Sequence, residues 1–170
     1  MDQPYHLQLR ILSHPQYLCV VRAMMETALR RLGYDEPART RVTLAVDEAL
    51  ANIIRHGYDG RADGPIWLQL SSMEQADGEA DGAAGVRIVI EDEARQVDPA
   101  TIRSRDLAQV KPGGLGVHVI REVMDEVHYS RRDGKGMRLV MVRHPRPAEP
   151  ADAAADGSPP ADDRGKDADE

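Results

Sequence analysis

Apolar and polar residues alternate along 5–12 (YHLQLRIL), which predicts a strand. Ser13 and Gln16 then stand at capping-box spacing, and Tyr17, Val21, Met25, Ala28 and Leu32 recur with a helical period. A helix is predicted over 15–32, with Gly33 as its stop. Asp35 and Pro37 open a second helix that runs to about residue 56. Residues 65–72 read as a strand, and an acidic, Gly-rich connection over 73–85 joins it to a strand over 86–92, where Val86, Ile88 and Ile90 share one face. Residues 93–116 show no period and carry Pro99, Pro112, Gly113, Gly114 and Gly116. Loops of that length are often functional lids. A helix is predicted over 117–127, followed by a hairpin whose strands flank the turn DGKG at 133–136.

The order is therefore β, α, α, β, β, lid, α, β, β. Hairpin-linked strands with grouped helices predict an α+β fold, a sheet with its helices on one face. Past His144 the chain turns to Pro, Ala and Asp. Little there can be buried, so a folded domain over 1–144 and a disordered acidic tail over 145–170 are expected.

Composition changes the picture in three places. The 170 residues are 41% hydrophobic but contain no Phe, so one domain with an aliphatic core is expected, without aromatic platforms for single-stranded nucleic acid. The net charge is −7, but the tail holds eight acidic and three basic residues and leaves the rest at only −2. Acidity thus argues against a nucleic-acid partner, though less strongly than the total suggests. One cysteine, Cys19, excludes an internal disulfide, and no apolar run nears the roughly 20 residues of a membrane span. A cytoplasmic protein, not bound to membrane, is the expectation.

Four islands carry candidate chemistry. Glu48, Asn52 and His56 lie four residues apart on the second helix and so share a stripe. The Asn52 amide oxygen suits a hard cation such as Mg²⁺, and Glu48 suits a proton acceptor. A solvated polar stripe is the plain alternative, with His56 simply ending the helix. Asp92, at a strand end, suits an exocyclic amine or a turn cap. KPGGLG at 111–116 precedes a helix, where free N–H groups favour phosphate, although such a run also serves as a flexible connection. The DGKG turn is the fourth.

Taken in order, E-A-x-A-N-x-x-x-H-G-Y (48–58), I-E-D-E-A (90–94) and G-G-L-G-V-x-V-I-R-E-V-M-D-E-V (113–127) resemble the ATP-binding module of the GHKL superfamily. HGY and MDEV make the chain most similar to the small bacterial anti-sigma-factor serine kinases, the RsbW-like group, over residues 5–144. The resemblance implies a two-layer α/β sandwich with a mixed, mostly antiparallel sheet and a mobile lid over ATP. It implies that Asn52 holds Mg²⁺, Glu48 activates the acceptor hydroxyl and Asp92 binds the adenine amine. Gly113, Gly114 and Gly116 would admit the phosphates, which Lys111, Arg103 or Arg105 would reach. It also implies a sigma factor and an anti-anti-sigma (STAS-type) protein as partners, and a homodimer.

The family's D-x-G-x-G box reads Asp92, Glu93, Ala94, Arg95, Gln96 here, although Asp98 and Pro99 keep the D-P that often follows it. Both glycines are replaced, and Met137 stands where many relatives have Thr. Ala94 is expected to fit at modest cost, and Gln96 to crowd the nucleotide. The alternative is therefore a module of the same fold that binds nucleotide weakly and acts by sequestration alone. A sensor histidine kinase lacks room for its phosphoacceptor hairpin. A Glu48–His56 acid–base enzyme leaves the Gly-rich segment without a role.

Overall fold

A computed structural model describes residues 7–73, 82–102, 115–144 and 146–147. Five strands form one sheet: β1 (Leu7–Leu12), β2 (Pro65–Met73), β4 (Gly85–Asp92), β5 (Glu126–Arg131) and β6 (Met137–Arg143), in the order β1-β2-β4-β6-β5. Every described pairing in it is antiparallel. A second, two-stranded sheet pairs β3 (Gly82–Ala83) with β7 (Arg146–Pro147), just past the expected domain end at 144. The α+β expectation holds.

Helices α1 (Leu18–Arg31), α2 (Glu36–Asn52) and α3 (Leu115–Val123) form the second layer. Burial alternates along β2, so Ile66, Leu68 and Leu70 enter the core together with Ile88 and Ile90 of β4. Met25 and Leu29 of α1, Val42, Val46 and Leu50 of α2 and Ile120 of α3 meet them. Each fully buried side chain of this kind contributes about 1.5–3 kcal/mol, which is how a core without Phe suffices.

Three local expectations are revised. Ser13 does not cap α1. Its hydroxyl donates to Arg61 O and accepts from Gly64 N at 3.0 Å, while His14 Nδ1 accepts from Gln16 N ahead of a 3-10 turn at Pro15–Tyr17. Asp35 does cap α2, accepting from Ala38 N at 2.7 Å, but the α-helix ends at Asn52 and continues as a π-turn, Ile53–Gly57. The helix predicted over 117–127 stops at Val123, because Asp125 N bonds Val142 O at 2.9 Å and Glu126 and Val127 pair with β6. Val123 and Val127 fit either period, and the sheet edge decides between them.

Candidate active site

The π-turn follows Asn52 directly, and π-bulges recur at functional sites. Asn52, Ile53 and His56 face a cavity of about 290 Å³ between helices and sheet. Asp92 and Ala94 enter it from the end of β4, Met137 and Leu139 from β6, Tyr129 from β5 and Val117 from α3. The structure thus brings Asn52 and Asp92, far apart in the chain, to one space. Apolar walls with a few converging polar groups are the usual composition of a small-molecule site.

Asp92 is 3% exposed. Its Oδ1 accepts from Ala94 N at 2.8 Å and from Met137 N at 3.2 Å, and no described donor reaches Oδ2. Burial raises its carboxyl above the ordinary carboxylate range, against those two amides and the charge of Arg132, which pull it down. A carboxylate held on one oxygen and open on the other suits a ligand donor.

Glu48 lies one turn before Asn52, half-buried and outside the cavity. Among the described residues nothing hydrogen-bonds or ion-pairs with its carboxylate, and the Asn52 amide is equally unengaged. Gly116 of α3 closes over both. A Cβ at position 116 would lie 2.5 Å from Glu48 Oε2 and 3.3 Å from Asn52 Nδ2. Asn52 therefore joins two neighbourhoods, the apolar cavity ending at Asp92 and the polar corner of Glu48 and Gly116. No three His, Cys, Asp or Glu side chains converge among the described residues. The Asn52 amide oxygen is of the kind that Mg²⁺ takes, an ion that keeps most of its waters and needs few protein ligands. His56 is exposed at the cavity rim. Gly113, Gly114, Lys111, Arg103 and Arg105, with the lid expected there, lie outside the described residues.

Gln96 corrects its expectation. It is not part of the cavity wall: its Nε2 donates to Arg132 O at 2.7 Å and Gly136 O at 3.2 Å, in the β5–β6 turn. Neither Ala94 nor Gln96 has a positive φ, so the lost glycines leave no left-handed strain. Two supports escaped the sequence reading. Tyr58 OH donates to Pro65 O at 2.7 Å and accepts from Glu93 N at 2.8 Å. Arg132 Nη1 donates to Asp92 O at 2.6 Å. Both join segments distant in sequence. HGY and DGKG stood out as motifs, but only the fold shows what they touch.

This helix–cavity–sheet arrangement agrees with a family-level match: the sequence profile of the histidine kinase-like ATPase domain covers residues 11–143. The chain belongs to that family. Within it, the chain is similar to proteins named Serine-protein kinase RsbW. The Bacillus velezensis protein is 24% identical over 139 residues, spanning 82% of this chain and 85% of the relative. The Bacillus subtilis protein is 22% identical over 138 residues, spanning 76% and 80%. A solved structure of the RsbU and RsbW domains of a Mycobacterium tuberculosis protein superposes with a TM-score of 0.56 at 18% identity, covering 86% of this chain and 34% of that one. It shares the fold. No helix among the described residues is long and apolar enough to cross a membrane.

Proposed function

We propose that this chain is an ATP- and Mg²⁺-dependent protein serine kinase that acts as an anti-sigma factor. It phosphorylates a serine of a STAS-type anti-anti-sigma protein and sequesters a sigma factor when that antagonist is unavailable. It works in the cytoplasm as a homodimer, without contacting nucleic acid directly. The observation that carries the reading is the position of Asn52, shared between the Asp92 cavity and the Glu48–Gly116 corner. The names of the sequence relatives support the serine kinase and RsbW-type role.

The residues fit the nucleotide and the metal. Asp92 offers a buried acceptor for an exocyclic amine, and the aliphatic walls suit a base. Gly116 leaves space where any side chain would collide with Glu48. When bound, Mg-ATP supplies the phosphoryl group and neutralises its charge. Asn52 would hold the metal, and Gly113, Gly114 and Lys111 would serve the phosphates. Glu48, with no described partner to hold its carboxylate, takes the proton of the acceptor hydroxyl. The apolar wall excludes water from the base end. Phosphoryl transfer asks for such positioning more than for covalent chemistry.

Thermal unfolding with and without Mg-ATP tests the reading first. Ligand at 100 times its Kd adds about 2.7 kcal/mol of stability. Glu48→Ala should keep that shift and lose phosphate transfer to the STAS-type protein, while Asn52→Ala should lose the Mg²⁺-dependent part of binding. No shift at millimolar Mg-ATP, with the sigma factor still bound, would replace the kinase by the sequestering module.

A further inference from the structure

Gln96 stands where the family pattern has a glycine, and its side chain leaves the cavity to hold the β5–β6 turn. That turn packs against Asp92, at the end of β4. Gly136, at φ +87°, packs so tightly that a Cβ there would lie 1.8 Å from Asp92 O. Arg132 Nη1 binds the same carbonyl, and Met137 N, next in the chain, supplies one of the two amides on Asp92 Oδ1. The register of the turn therefore sets the orientation of the carboxylate. Gln96 fixes that register from the other side, by bonding the carbonyls at both ends of the turn, Arg132 O and Gly136 O. Gly136 O also accepts from Arg132 N at 3.1 Å, so the Gln96 amide and the turn close on one another.

We propose that Gln96 is a positioning residue for base recognition: by clamping the 132–136 turn it holds Asp92 with Oδ1 satisfied and Oδ2 presented to the exocyclic amine of the base. This rests on the nucleotide-kinase reading above. It reverses the expectation drawn from the family pattern, since restoring the glycine at position 96 weakens nucleotide binding instead of relieving it. Two exposed ties, Lys135–Glu93 at 3.0 Å and Arg131 Nε to Val97 O at 3.1 Å, survive such a change, so the effect is graded and not total.

The test uses the full chain and three probes with Mg²⁺: ATP, purine riboside triphosphate, which lacks the 6-amino group, and tripolyphosphate, which lacks the base. Gln96→Met keeps the length and removes the donor; Gln96→Gly restores the family residue. Losing the two hydrogen bonds should weaken ATP binding about tenfold in both variants. Preference for ATP over purine riboside triphosphate should shrink in step, and tripolyphosphate affinity should stay at the parent value. If Gln96→Gly binds ATP as tightly as the parent, the proposal falls while the kinase reading stands. Equal losses for ATP and tripolyphosphate also overturn it, because a merely structural role moves both. A parent chain that binds ATP no better than tripolyphosphate overturns this proposal and removes the base site beneath it.

Discussion

Gly57 and Ala94 share the space of one methyl group. A Cβ built at Gly57 would lie 2.9 Å from Ala94 Cβ, closer than two such carbons approach. The missing first glycine of the box is thus matched by a glycine on the facing π-turn. Arg95 N bonds Gly57 O at 3.4 Å across the same contact, so the two backbones cannot part freely. Gly57→Ala should destabilise the chain by about 1–3 kcal/mol, the range for overpacking. Adding Ala94→Gly should return most of that loss, and a double-mutant cycle in urea measures the coupling. Additive effects would show that the contact relaxes elsewhere.

Asp92→Asn separates stability from binding. The folded chain holds the Asp92 proton more tightly than the unfolded chain, because burial opposes the charge. Stability from this group is therefore greatest below the ordinary carboxylate value and is lost as pH rises through the raised one. Asn cannot titrate and keeps an oxygen for Ala94 N and Met137 N. The stability of the variant relative to the parent should increase from acid pH towards neutrality, as denaturant titrations at several pH values would show. Its amide NH₂ then replaces Oδ2 and, with Asp92 as the proposed acceptor for the base, would meet the exocyclic amine donor to donor. ATP affinity should fall about ten- to hundredfold, the value of a hydrogen bond to a charged group. Parallel stability curves would mean that Asp92 does not titrate across this range.

Much of this site was legible because its parts are local. Period and caps placed α2, and the four-residue spacing put Glu48 and Asn52 on one stripe. Alternation placed Asp92 at the end of β4. What the sequence hid is what the fold brings together. Nothing near Gln96 signals that its amide bonds a turn 36 and 40 residues away, and substitution by position alone predicted crowding. Ser13 had the spacing of a cap, but a tertiary partner, Gly64, competed for its hydroxyl and won. The end of α3 was misplaced for the same reason, since pairing with β6 outweighed a helical period at Val127.

Gly116→Ala should leave the fold intact and harm the site. The atom a new Cβ meets first is the far end of the Glu48 side chain, which can swing away. Ala also favours a helix over Gly by about 1 kcal/mol, so the thermal midpoint should hold or rise. With Glu48 as the proposed base, the displaced carboxylate would no longer face the acceptor, and the methyl group would lie 3.3 Å from Asn52 Nδ2. Phosphate transfer should drop by at least about tenfold, since misplacing a catalytic group by 1 Å can cost about a hundredfold. Steady-state transfer beside a melting curve reads both, and full activity would place the acceptor away from Glu48.

Tyr58→Phe tests the clasp that holds the start of the box. The ring is 3% exposed and fills the space over Gly64, where a Cβ would lie 2.2 Å from it, so Phe preserves the packing. Only the hydroxyl is lost, and it serves two backbone groups, Pro65 O and Glu93 N. Leaving buried partners unsatisfied costs about 1–3 kcal/mol. For a domain of this size that corresponds to a midpoint lower by several degrees, about 2–8 °C per kcal/mol. Burial raises the Tyr58 phenol above its ordinary value of 10.0, so the parent loses stability as pH climbs past that point while the variant has no group there to ionise. The gap between them should therefore narrow in alkali, and urea midpoints at neutral and alkaline pH would show it. A gap that stays constant would mean that the hydroxyl is not held as a buried, protonated donor.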